Sequence, residues 1–302
     1  MKKFLLKVLL FFICVAVVDV LFGYGFSWLR SHAKGGSTAN CEYIANRANE
    51  DIIILGSSRA THHYIPQIIE DSLKLSCYNC GEEGNGIVLA YGRMKMLTNR
   101  YKPKLIIYEI TPGYDYGTNH DNKKFLGYLR PYYYKHEIRG IFDDFDDKWS
   151  PLKMKSYMYQ NTMRLLPDLI DNIVFRDNKK GYEPLNGTLS NYKLPLSDKK
   201  IKVDSLRLSY VERFIVDLQE QNIPLLFVIS PYFGSNSDIA KYEPAIALCE
   251  KYGVPFFNFI NYPDIVEQSE YFQDLSHMNH KGAMAYTNMI VTKVLKDKDL
   301  YE

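Results

Sequence analysis

Asp51-Ile52-Ile53-Ile54-Leu55-Gly56-Ser57-Ser58-Arg59-Ala60 holds a charge-free apolar run that breaks on Gly-Ser-Ser. Ile and Leu in succession, without alternation, suit a central parallel strand covered on both faces. Gly56 permits a sharp turn, and the polar stretch Ser58 to His63 opens a helix whose first N–H groups have no internal partner. A serine oxygen held there lies beside backbone donors, the arrangement that steadies an oxyanion. The same residues also suit an ordinary strand-to-helix turn capped by serine, so the stretch decides the fold before it decides the chemistry.

The rhythm continues outward from this strand. A helix near 65–74 begins at Ile65-Pro66, and a short strand at 76–79 ends in Cys80-Gly81-Glu82-Glu83-Gly84-Asn85-Gly86. Ile87, Ala90, Tyr91, Met94 and Leu97 recur at helical spacing, and a third strand follows at 105–110. After a loosely patterned stretch, Val203, Leu206, Tyr210, Val211, Phe214 and Leu218 form a helix stripe, followed by strands at 223–230 and 254–260 around a helix near 238–252. The last helix is expected at 281–296, with Met284, Thr287, Val291 and Val294 on one face. Strands alternating with helices predict an α/β fold, a three-layer α/β/α sandwich on a five-stranded parallel sheet, with ligands bound beyond the carboxyl ends of the strands. Ser58, the 81–86 loop, Thr111 to Asp115 and Ser230 to Phe233 fall at such ends. The stretch 111–200, dense in Pro, Tyr, Asp and Lys and carrying Tyr132-Tyr133-Tyr134 and Tyr157-Met158-Tyr159, reads as a mostly helical insertion.

Upstream, Met1-Lys2-Lys3-Phe4-Leu5-Leu6-Lys7 leads into an apolar stretch that reaches about Phe26 and is interrupted by Asp19. It is long enough to span a bilayer and lacks a convincing small-residue cleavage site. Residues 1–28 are therefore expected to be an uncleaved transmembrane signal anchor, 29–49 a polar tether and 50–302 the body. Lys2, Lys3 and Lys7 before the span, against Arg30 and Lys34 after it, predict a membrane-anchored, single-pass protein with an extracytoplasmic body, periplasmic or at the cell surface. Asp19 either marks contact with another membrane protein or lies near enough to the outer interface to stay wet.

Of the five cysteines, Cys14 falls in the span. Cys41, Cys77, Cys80 and Cys249 could pair in an oxidising compartment, with the connectivity open. Cys77 and Cys80 have the spacing of half a zinc site, but no second pair follows. A strand sets residues three apart on opposite faces, so buried thiols and no metal are expected. A net charge of +2 over 302 residues, without a basic stripe, argues against a nucleic-acid partner. The 25 tyrosines fit either aromatic platforms for sugars or a compositional habit.

A second constellation is Phe272-Gln273-Asp274-Leu275-Ser276-His277-Met278-Asn279-His280-Lys281-Gly282-Ala283. Asp274 and His277, three apart before a helix, lie on one side of a turn. A carboxylate there holds an imidazole in one tautomer while the other ring nitrogen takes a proton from a serine. An acidic helix start beside a surface histidine is the plainer alternative.

With these blocks in order, the chain resembles the SGNH/GDSL hydrolase superfamily, whose fold is flavodoxin-like, over about 51–110 and 203–295. The resemblance implies Ser58 as nucleophile, with Ser57 in place of the usual Asp, His277 as base and Asp274 as its orienting partner. Asn79-x-Gly81-x-x-Gly84 resembles the glycine block, so the Gly84 N–H would join that of Ser58 as an oxyanion donor, and no cofactor is implied. The departure is Glu109-Ile110-Thr111-Pro112-Gly113-Tyr114-Asp115, which has no asparagine where the family places its third donor. His62 and His63 are rival bases one turn beyond Ser58, read instead as groove-lining because the Asp partner belongs with His277. Arg59 either holds an anionic substrate group or pairs with a local carboxylate. Asn85, Thr111 and Asp115 are further candidates to line the substrate site.

The activity implied is acyl-ester hydrolysis or O-acyl transfer on an extracytoplasmic glycan through a Ser58 acyl-enzyme. The chain is similar in this to carbohydrate esterases and to the membrane-associated O-acylation proteins of alginate and D-alanylated teichoic-acid pathways. The partners implied are an acylated polysaccharide, the membrane and a multispanning acyltransferase. A non-catalytic glycan-binding or scaffold partner of such an acyltransferase is the other class left open. The altered third block favours it, while Ser58, Asp274 and His277 oppose it. The tyrosine-rich insertion would form a glycan lid or pack against the sheet.

Overall fold

The computed structural model describes residues 1–33, 36–118, 120, 122–145, 179–190, 201–233 and 239–300. In chain order the elements are α1 (Lys2–Ser31), α2 (Gly36–Asn46), β1 (Ile52–Gly56), α3 (Ser58–His63), α4 (Pro66–Leu73), β2 (Cys77–Asn79), α5 (Ile87–Thr98), β3 (Leu105–Glu109), α6 (Pro112–Asp115) and α7 (His136–Asp144). There follow α8 (Ser205–Glu220), β4 (Leu225–Ile229), α9 (Glu243–Tyr252), β5 (Phe256–Asn258), α10 (Pro263–Val266) and α11 (His280–Ile290), which runs on into a π turn at Val291–Leu295.

The five strands are parallel in the order β2-β1-β3-β4-β5, so β1 is flanked on both edges. Its alternating side chains feed two cores. Ile53 and Leu55 join Tyr78, Ile106, Tyr108 and Phe227 under α2, α5, α7, α8 and α9. Ile52 and Ile54 join Cys77, Leu105, Ile107 and Val228 under α3, α4, α10 and α11. Apolar demand on both faces is why the strand reads as a continuous run. It also puts Cys77 in one core and Cys80 in the other, and all four cysteines of the body are buried and free.

Three expectations need correction. The stretch 29–49 is not a tether, because α1 continues to Ser31 and α2 packs on α5 with Cys41, Ile44 and Ala45 buried. Its apolar side is made of small residues set among Ser, Thr and Asn, which masks it in composition. Val203 lies before α8, bridges Gly117 and is 39% exposed, while Asp204 caps the helix by accepting from the Arg207 N–H. Met284 is exposed, and the buried face of α11 is Ala283, Tyr286, Thr287 and Ile290. Within 111–200 the described residues hold α6, three 3₁₀ turns (Asn122–Leu126, Arg130–Tyr132 and Lys179–Gly181) and α7, and a strap, 182–190, with neither helix nor strand. Tyr157-Met158-Tyr159, with the rest of 146–178 and 191–200, lies outside the described residues.

α1 is 30 residues long, its most apolar window has a mean hydropathy of 2.8, and it is long and apolar enough to cross a membrane. Phe4, Leu5, Leu9, Phe11, Phe12, Leu21 and Phe22 are exposed along it. Asp19 is buried and partnered within the chain, which offsets the cost of a charge in an apolar span. At the end of α1, Arg30 Nε donates to Glu42 Oε1 at 3.1 Å, Arg30 Nη2 donates to the Tyr132 hydroxyl at 3.1 Å, and Tyr132 donates to Glu42 at 2.8 Å. α1 is thus bonded to the body through α2 and the insertion. Ile44 is 1% exposed beneath α2, so Ile44→Ala is expected to cost about 2–4 kcal/mol in denaturant unfolding. An unchanged midpoint would return 29–49 to a loose linker.

Candidate active site

Gly56 ends β1 with φ +144°, and a Cβ there would stand 2.6 Å from the Glu109 carbonyl oxygen, so the turn into α3 admits no side chain. Ser57 follows in extended backbone, and Ser58 opens α3. α3 packs against α11, which brings the turn before α11 over Ser58. Ser58 Oγ and His277 Nε2 are 2.8 Å apart. On the far side of the ring, His277 Nδ1 lies 2.9 Å from Asp274 Oδ2 and 3.0 Å from Oδ1. Asp274 Oδ1 also accepts from the Ser276 N–H and hydroxyl and from the His277 N–H, so one carboxylate shapes the turn and aims the imidazole.

Burial pushes the Asp274 carboxyl upward, but His277 and the Ser276 donors outweigh it and hold it well below the usual carboxylate range. An ionised Asp274 places the ring proton on Nδ1, leaving Nε2 to accept from the Ser58 hydroxyl. Ser58 is partly exposed and the His277 side chain is 25% exposed, so both meet solvent.

The rival bases are occupied elsewhere. His62 Nδ1 is 2.7 Å from the Glu183 carbonyl oxygen and Nε2 is 2.7 Å from Glu83 Oε1. His63 has Ser230 Oγ on Nδ1 and the Met278 N–H on Nε2. Gly84 sits at φ +65° in the loop before α5, and Lys124 Nζ lies 3.4 Å from where its Cβ would be. The same ammonium stands 5.4 Å over the Tyr114 ring, which stacks on His120 at 4.8 Å. A cationic and aromatic rim therefore borders Gly84.

Three proposed substrate contacts turn out to be buried braces. Arg59 is 1% exposed and turned inward, 3.3 Å from Glu109 and 4.7 Å over the Tyr232 ring, so the local carboxylate is its partner. Asn85 is buried and donates to the Glu83 carbonyl oxygen, shaping the glycine loop. Asp115 is fully buried and accepts from the Tyr108 hydroxyl at 2.6 Å and the Thr111 N–H at 2.5 Å, bracing the turn after β3. Thr111 is partly exposed, two residues beyond Glu109, which pairs with Gly56, so it stands level with Ser58 at the strand ends. The strap 182–190 carried no sequence signal because it binds largely by backbone: Glu183 N–H to Thr61, His280 N–H to Leu185, Leu189 N–H to Phe272, with the Tyr182 hydroxyl 2.8 Å from His280 Nδ1 beside them. Glu109 and Ser230 were also missed as partners, although a lone acid ending an apolar strand was a visible sign.

No family model and no curated protein matches the chain. Among solved structures it is similar to a protein assigned to the G-D-S-L lipolytic family from Desulfitobacterium hafniense, at 9% identity and TM-score 0.40, over 79% of this chain and 96% of that one. It is also similar to a protein assigned as a platelet activating factor from Streptococcus pneumonia, at 12% identity and TM-score 0.39, over 92% and 98%. The esterase AlinE4 matches at 13% identity and TM-score 0.35, over 83% and 98%. Overlaps this loose leave the chemistry of the site to rest on its own geometry.

Burial raises the Asp115 carboxyl from 3.8 to about 7 against the pull of its donors. Between those values the folded chain keeps a proton that the unfolded chain has released, so stability falls as pH rises through the interval. Denaturant unfolding across it should show that slope in the parent and lose it in Asp115→Asn.

Proposed function

We propose that this chain is a serine-dependent acyl-ester hydrolase or O-acyltransferase, and the observation that carries the reading is the relay from Ser58 Oγ through His277 to Asp274. Ser58 Oγ attacks the ester carbonyl carbon while His277 Nε2 takes the hydroxyl proton. The carbonyl oxygen becomes an oxyanion beside the N–H groups of the glycine loop and of Ser58, in the roles assigned to Gly84 and Ser58. Collapse of the intermediate breaks the bond to the alcohol, which leaves with the proton from His277. Water or a sugar hydroxyl then gives its proton to His277 and attacks the acyl-enzyme carbonyl; the bond to Ser58 Oγ breaks, Oγ takes that proton back from His277, and the acid or new ester leaves. Asp274 stays ionised throughout and stabilises the imidazolium.

The substrate we favour is an acylated extracytoplasmic glycan. Tyr114 and His120 offer a stacked aromatic face of the kind that suits a sugar ring, and Lys124 adds a cation beside it. α1 and the lysines of its first two turns, Lys2, Lys3 and Lys7, support a membrane-held body facing out of the cytoplasm, where a multispanning acyltransferase is the partner that would supply or share acyl groups.

The test is fluorophosphonate labelling of the full chain in detergent, with the modified peptide mapped by mass spectrometry. Ser58 should be labelled. Ser58→Ala should take no label and His277→Ala should lose about 10³-fold or more in rate, while His62→Ala stays close to the parent. Hydrolysis of O-acetylated glycans, with water and sugar acceptors compared, then separates esterase from transferase. A folded parent that takes no label at Ser58 overturns the reading and leaves the non-catalytic glycan-binding partner in its place.

A further inference from the structure

Beneath the Ser58–His277 contact runs a buried polar chain that acyl transfer itself does not use. His63 is 0% exposed, and its Nε2 lies 3.0 Å from the backbone nitrogen of Met278, the residue after His277. A backbone N–H only donates, so Nε2 is the acceptor. Nδ1 therefore carries the proton and donates to Ser230 Oγ at 2.7 Å. Ser230 Oγ donates onward to Glu109 Oε1 at 2.8 Å, and the Ser230 N–H reaches the same oxygen at 3.0 Å. Arg59 Nη2 donates to Ser230 Oγ at 2.8 Å and pairs with Glu109, and the Tyr64 hydroxyl donates to Glu109 Oε2 at 2.5 Å. Two groups that cannot reverse, an amide donor and a buried carboxylate acceptor, set the direction of every bond between them.

The placement matters as much as the polarity. Ser58 and His63 belong to the same short helix, and the amide that His63 holds is one peptide from the residue that takes the Ser58 proton. The nucleophile's helix thus grips the backbone of its own base. Facing His63 are Arg59 and His62 from α3, the His277 ring at 6.4 Å, the Tyr286 ring of α11 at 6.4 Å and, through Ser230, Glu109 of β3. Burial, with the charge of Arg59 and the nearby His277 and His62, keeps the His63 imidazole neutral. A proton on Nε2 would set donor against donor at Met278.

We propose that His63 is a positioning residue: held in its Nδ1–H form by Ser230 and Glu109, it clamps the Met278 amide and so keeps His277 at hydrogen-bonding distance from Ser58. This rests on the acyl-transfer reading of that pair. Two variants of the full chain in detergent separate the clamp from simple filling of space. In His63→Gln the side-chain oxygen reaches the Nε2 position and accepts from Met278, whereas in His63→Asn the shorter amide serves Ser230 and leaves Met278 unheld. His63→Asn should slow labelling of Ser58 by about tenfold, and His63→Gln should stay within about threefold of the parent. Hydrogen exchange in peptides covering 272–283 should quicken in the Asn variant alone.

Labelling rates that do not differ between the two variants overturn the positioning role. Should neither variant fold, as judged by thermal melting, Ser230→Ala carries the test. It leaves the imidazole in place and removes the acceptor that sets its tautomer, so slowed labelling supports the clamp and unchanged labelling overturns it. A folded parent without label at Ser58 is a different result: it overturns the acyl-transfer reading, and the positioning role with it.

Discussion

The structure turns on the approach of β1 to β3 at Gly56, where the chain passes so near the Glu109 carbonyl that no side chain fits. That closeness lets α3 start directly over the sheet, and α3 carries Ser58 outward and Arg59 and His63 inward from one turn. The same six residues therefore present a hydroxyl to solvent and insert a cation and an imidazole into the core. Neither half is independent of the other.

A guanidinium and a carboxylate taken out of water cost more than their attraction returns unless their remaining donors and acceptors are met. Here they are largely met. Arg59 donates to the Ser230 hydroxyl and carbonyl and to the Tyr242 hydroxyl, while Glu109 accepts from Tyr64 and from the Ser230 hydroxyl and N–H. Burial raises the Glu109 carboxyl, and Arg59, Tyr64 and Ser230 offset only part of that rise. The partners come from several elements: α3 and its cap Tyr64, the ends of β3 and β4, the turn at Tyr242 before α9 and, through Tyr64's neighbour Tyr286, α11. An apolar cluster of equal volume would fill the space but would set no direction. A fully bonded charge pair fixes which way each hydroxyl and ring points, and the base of the candidate site hangs from that order.

What was legible in the sequence was local. The unalternated run at Ile52 to Leu55 demanded two covered faces, and Asp274 with His277 needed only a tight turn to meet, so both followed from spacing. The partner of Arg59 was undecided because Glu109 is fifty residues away and joins it only through strand register. His62 and His63 looked like rival bases because nothing nearby names the Glu183 carbonyl, Glu83, Ser230 and the Met278 amide that occupy their nitrogens. The strap was illegible for a deeper reason. Its grip on Thr61 and Phe272, and part of its grip on His280, are made by peptide groups that every residue carries.

The helix taken for part of a tether changes how α1 is joined to the body. A helix of 30 residues is about 45 Å long, against about 30 Å of hydrocarbon in a bilayer, so when such a helix crosses a membrane its last turns stand clear of the lipid. Those turns end at Arg30, which is largely buried and bonded to Glu42 of α2 and Tyr132 of the insertion. A flexible linker would let the body sample every orientation, and the substrate would be found by diffusion. A bonded joint instead fixes how the body is set against α1 and, where α1 crosses a membrane, which face looks along it. A chain held that way favours a substrate that is itself held near the surface, because reach is given up and orientation is gained.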